Sequence, residues 1–163
     1  MRLNPWIIAL SFVAIASTST AAETQSFTAT IDGAKFISDD DSILLVPLKS
    51  SFSLSAATQG ASAYPPPKTP IDRISIMCKV EMQPVKLSRA DMSDGTCEAT
   101  LTKGSDKSAG EYSLDKQNAD NALEITAVKG KTMDGTFRFH MKNKAGASAV
   151  IADGKFRAED RQL

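Results

Sequence analysis

The chain has 163 residues, 42% hydrophobic and 23% charged, with 19 basic residues against 19 acidic ones and one histidine. That is the composition of a single globular domain, and it excludes wholesale disorder. Zero net charge offers no basic field to nucleic acid, and a lone histidine removes most metal-binding and acid–base chemistry.

The apolar run from Pro5 to Ala16 follows Arg2 and precedes small polar residues that end at Ala22. This layout predicts a cleaved signal peptide over residues 1–22. A helix over the run reaches about 18 Å, short of the ~30 Å hydrocarbon core, which argues against a membrane span. The expected product is an exported chain, periplasmic or secreted, folding as one domain over residues 23–163.

The dominant period in that domain is two. Phe27, Ala29 and Ile31 alternate with threonines, and Asp32-Gly33 signals a two-residue hairpin. Pairing across it sets Ile31 against Ala34 and Ala29 against Phe36. A short buried strand is expected over Ser42 to Leu48, turned by Lys49-Ser50. Phe52, Leu54 and Ala56 then alternate with serines. Residues 59–70 carry no period and read as a loop. Residues 73–80 read as a strand, residues 83–95 as loop with a short strand at Val85–Leu87, and residues 96–102 as a strand. Residues 103–118 are polar, with a short strand at Glu111–Leu114. A strand over Ala122 to Lys129 turns at Gly130-Lys131. Met133, Gly135, Phe137, Phe139 and Met141 then share one face. After a turn at residues 143–146, Val150, Ala152, Gly154, Phe156 and Ala158 are expected to form the last core face. Gly135 and Gly154 lie inside this alternation, where a glycine admits a bulky neighbour or marks a bend. Short strands separated by regular turns predict an all-β fold, an antiparallel sandwich or an open barrel.

Two cysteines in an exported chain predict one disulfide, Cys78–Cys97. Each falls on the apolar side of its own strand, so the two strands are expected to meet through the core.

The opening SFTATIDGAKF and the closing DGTFRFHMKNKAGASAVIADGKF resemble small exported bacterial β-proteins of uncharacterised, domain-of-unknown-function families. The shared pattern is an F-x-A-x-[IV]-D-G-x-x-F start with a G-x-F-x-F … G-x-F finish. The resemblance implies an all-β fold and carries no activity, cofactor or site.

The chemistry-bearing residues are sparse. His140 falls with Arg138 and Lys142 on a polar strand face and reads as solvated. Ser113-Leu114-Asp115-Lys116 matches S-x-x-K, but the companion motifs of acyl-serine enzymes are missing. Asp39-Asp40-Asp41 would point apart in an extended chain, and Asp91 to Gly95 misses the calcium-loop spacing. No catalytic set, metal site or cofactor is therefore expected. The most unusual segment is Tyr64-Pro65-Pro66-Pro67-Lys68. Consecutive prolines favour stiff polyproline II, and a neighbouring aromatic can anchor a partner.

Three functions follow in order. The first is a non-enzymatic protein-binding module, such as an inhibitor or immunity protein, using Tyr64, Pro65, Pro66, Pro67 and Lys68. The second is a lipocalin-like carrier of a small apolar ligand, with Ala29, Ala99, Ala152, Gly135 and Gly154 leaving room inside. The third is a hydrolase with an unconventional site.

Overall fold

A computed structural model describes residues 24–104 and 110–161. The leader expected over residues 1–22 lies outside the described residues. Among the described residues there are ten strands and one short helix. In chain order they are β1 (Ser26–Ile31), β2 (Ala34–Leu48), β3 (Ser51–Thr58), β4 (Arg73–Cys78), β5 (Val85–Leu87), α1 (Arg89–Ser93), β6 (Cys97–Thr102), β7 (Glu111–Leu114), β8 (Ala122–Lys129), β9 (Thr132–Asn143) and β10 (Ser148–Glu159).

Neighbouring strands pair antiparallel in the order β10-β1-β2-β3-β4-β6-β7-β9, and β9 pairs back to β10. The wall is thus a barrel of eight strands, closed where the sequence predicted a sandwich or an open barrel. β8 shares one edge of β9 with β7: β7 takes residues 141–143 and β8 takes residues 132–138. β5 lies on the far side of β8. Asn121 staples the fork between β7 and β8. Its Oδ1 accepts from the His140 amide at 2.8 Å, and its Nδ2 donates to the Asp115 carbonyl at 2.6 Å.

The first hairpin has the expected register, Ile31 opposite Ala34 and Ala29 opposite Phe36. Asp32 and Gly33 both take positive φ, 50° and 84°, as a type I′ turn requires. Ala34 sits at the rim and is exposed.

Eight strands enclose a space that side chains can fill. Here phenylalanines fill much of it. The Phe27 ring lies 5.8 Å from Phe36 and 5.2 Å from Phe137, and Phe137 lies 5.3 Å from Phe139. Two rings lie over glycines. Phe156 stands opposite Gly135, and Phe137 stands opposite Gly154. A Cβ added at Gly154 would fall 2.7 Å from the Phe137 ring. Bulky neighbours thus occupy the room at both glycines.

Three sequence expectations need correction. First, Ala149 and Ile151 face the core of β10, and Val150 and Ala152 do not. β10 carries one extra residue between Ile151 and Gly154 against β9, and one between Ala152 and Lys155 against β1. Asp153 takes φ 52° at this bulge. Each added residue swaps the faces of a strand, so Gly154, Phe156 and Ala158 return to the core. Second, β2 is one 15-residue strand that starts at Ala34. Between Ser38 and Ile43 it has residues 39–42 where β3 has only Ala57, so Asp39, Asp40 and Asp41 ride on a wide bulge. Third, residues 89–93 are helical. Ser88 caps the helix, with Ala90 N–H donating to its Oγ and its own N–H donating to Asp91 at 2.8 Å. That box spends the Asp91 carboxylate on the backbone. Met92, fully buried, anchors the helix to the core.

The disulfide joins Cys78 to Cys97. The two are directly opposite on adjacent strands β4 and β6 and are both buried. Both cysteines face the core as expected, and their strands meet as neighbours in the sheet, so the bridge runs laterally.

One polar cluster closes the lower edge of the barrel. Gln25, itself buried, donates its side-chain amide to the Asp40 carbonyl at 3.0 Å and accepts from Glu159 N–H at 2.7 Å. Asp40 accepts from Gln25 N–H at 2.8 Å and from both ends of the Arg161 guanidinium at 2.8 and 3.1 Å. The hydrogen bond from Arg161 holds the Asp40 carboxyl below its ordinary value of 3.8, against a smaller opposing effect of burial. A carboxyl depressed in the fold adds stability above its unfolded pKa and loses it as pH falls through the folded one. Denaturation midpoints measured between about pH 5 and pH 2 should therefore fall with acidification. Asp40→Asn should be less stable than the parent near neutrality and should show a shallower acid slope. An unchanged slope would mean that the cluster adds nothing through its charge.

Candidate functional site

The loop at residues 59–70 leaves the end of β3 and returns to β4. Its base is locked by Thr58 and Asp72. Thr58 N–H donates to the Asp72 carbonyl at 2.9 Å, and Asp72 N–H donates to Thr58 Oγ1 at 2.7 Å. The Asp72 carboxylate in turn accepts from Gly104 N–H at 2.9 Å, which fixes the base to the next loop.

The β2 bulge holds the first half of the loop from the side. Gly60 N–H donates to Asp39 Oδ2 at 2.6 Å, Gln59 N–H donates to the Ile37 carbonyl at 2.8 Å, and the Ser42 and Ser62 hydroxyls lie 2.8 Å apart. Two turn bonds, Ala61 N–H to Thr58 and Ala63 N–H to Gly60, complete the ascent. Asp39 is thus spent on the loop, Asp40 on Arg161, and Asp41 on Ser42 Oγ. The three carboxylates diverge, as an extended chain requires.

On this support Tyr64 is 96% exposed. The Tyr64–Pro65 bond is cis. Pro65, Pro66 and Lys68 are exposed, and Pro67 is half-buried. Ile37 and Leu44 on β2, beside the loop, are about half exposed. They line shallow concavities of about 250 and 350 Å³ on either side of it. The site is therefore a prominent aromatic on an anchored, proline-stiffened loop, with apolar side chains at its foot. Sequence reasoning found the loop. It missed Ile37 and Leu44, whose outward direction follows from the strand's register and the bulge.

The other candidates lie elsewhere. His140 points outward from β9, with Nε2 3.7 Å from the Asp120 carboxylate, a partner that the sequence did not reveal. Ser113 is exposed on β7, opposite Thr100 and Lys142. Lys116 reaches Glu98 on β6 at 3.4 Å. Lys142 donates to Asp115 at 2.8 Å, and this bond keeps the Asp115 carboxyl below its ordinary range. The lysine of the S-x-x-K match is thus directed at a carboxylate across the sheet.

No helix among the described residues is long and apolar enough to cross a membrane. Comparison with family models, with curated proteins and with solved structures gave no match.

Proposed function

We propose that the protein is an exported, non-enzymatic protein-binding module of inhibitor or immunity type, acting in the periplasm or outside the cell. It engages its partner through Tyr64, Pro65, Pro66, Pro67 and Lys68. The observation that carries this reading is Tyr64, 96% exposed on a loop tied down at its base and along its first half. An aromatic left in water at a fixed position loses little entropy on binding and gains a large contact area. The prolines restrict the chain beyond it. The carrier reading has less support. The barrel is closed as a carrier needs, but Phe156 and Phe137 cover the two glycines that promised space, and Ala152 is not part of the core.

The test compares wild-type and Tyr64→Ala domains as bait against periplasmic extract, followed by titration of any protein that only the wild type retains. Tyr64→Ala should weaken that complex by about 2 kcal/mol or more and leave the melting temperature nearly unchanged. Lost stability with unchanged affinity would show that the loop is only a crossover between strands.

A further inference from the structure

On the outer side of the barrel a cleft of about 600 Å³ lies over β8, β9 and β10, with β5 and residues 119–121 completing its lining. The volume suits a small organic ligand. The row Lys86, Glu124, Thr136 and Lys155 crosses β5, β8, β9 and β10 in register. Arg138 stands two residues further along β9, opposite Ala122. Thr136, Ala122 and Gly154 are short, so the middle of the cleft is low while long charged side chains form its border.

The charges in this border are unevenly satisfied. Lys86 is held by Glu124 at 3.0 Å, and Asp120 lies against His140 at 3.7 Å. Among the described residues Arg138 and Lys155 have no acidic partner within ion-pair distance; Asp153, on the β10 bulge, has no cationic partner, and Asp120 has one only when His140 is protonated. Arg138 and Lys155 are thus the two cations of the lining left without an ion pair. Diagonal neighbours on adjacent strands stand about 7–8 Å apart, so both long side chains can reach one anionic group between them. A guanidinium beside an ammonium is the arrangement that binds carboxylate or phosphate by charge-assisted hydrogen bonds. Ala119, Ala122 and the Thr136 methyl supply an apolar bed beside it.

We propose that this cleft is a second binding site, which takes a small amphipathic anion: a carboxylate or phosphate on Arg138 and Lys155, with a short apolar body along Ala119, Ala122 and Thr136. The site is independent of the Tyr64 loop, and neither reading needs the other.

Amide chemical shifts of the folded domain, titrated with hexanoate, hexyl phosphate, inorganic phosphate and hexylammonium, test the proposal. At least one hexyl anion should move the amides of residues 136–138 and 154–155, and the tighter of the two identifies the anionic group. Inorganic phosphate should bind at least about tenfold more weakly than the tighter hexyl anion, because it lacks the apolar body. Arg138→Gln and Lys155→Gln should each weaken binding about fivefold or more, while Arg73→Gln, on β4, should leave it unchanged. The proposal fails if neither hexyl anion moves these amides up to about 10 mM. It fails also if hexylammonium binds as well as the anions, or if Arg138→Gln and Lys155→Gln bind like the parent.

Discussion

Replacing Cys78 and Cys97 together by alanine is expected to lower the unfolding free energy by about 3 kcal/mol. The bridge closes a loop with a sequence separation of 19, and a cross-link of that span removes unfolded-state entropy of this order. The closed loop is the excursion between β4 and β6 that carries β5 and α1. Both alanines also leave buried space where two sulfurs were packed. Denaturant melts of parent and double variant measure the difference, and a non-reduced peptide digest should show the two cysteine peptides linked. A change within error of zero would mean that the pairing of β4 with β6 holds the excursion without the bridge.

Gly135→Ala should cost about 3 kcal/mol or prevent folding. Its Cβ would stand 2.5 Å from the Glu124 carbonyl oxygen and would clash with the edge of the Phe156 ring. The carbonyl belongs to the β8–β9 pairing and has nowhere to go. For Gly154→Ala the three nearest atoms all belong to the Phe137 ring, at 2.7 Å. This difference makes the pair diagnostic. Phe137→Leu should recover part of the loss in Gly154→Ala, whereas Phe156→Leu should recover little in Gly135→Ala. Should Gly135→Ala melt within a degree or two of the parent, the close packing of ring over glycine is not what fixes the β9–β10 register.

These glycines also show what the residues alone reveal. Alternation in residues 133–141 identified a core face correctly because one face is apolar and the other is Asp134, Thr136, Arg138 and His140. The same reasoning failed at residues 149–152, where Ala, Val, Ile and Ala offer two equally apolar faces. Only pairing with β9 and β1 selects Ala149 and Ile151. The Asp39 to Asp41 stretch hid the continuity of β2, since three acids look like a break and serve here as a bulge. A five-residue helix is too short to show a 3.6 period. Closure into a barrel depends on β10 meeting both β9 and β1, a non-local fact with no local signature. The Tyr64 loop was legible because prolines and an aromatic interrupt every period. The outer cleft was not, because its charged residues come from four strands and look in the sequence like ordinary solvated positions.

The double pairing of β10 has a kinetic meaning. Ser26 at the start of β1 lies against Arg157 near the end of β10, so the wall cannot be completed until β1 and β10 are both available. Until then β1 and β9 each present a bare edge, and bare edges recruit foreign strands. Pairing two strands so far apart in sequence is also slow, because loop-closure entropy is lost before the contacts form. The pairing of β1 with β10 is thus the contact that closes the barrel. Shortening the chain at residues 148–159 takes away the closing stave, leaving a ruptured sheet where a trimmed surface loop would leave an intact barrel.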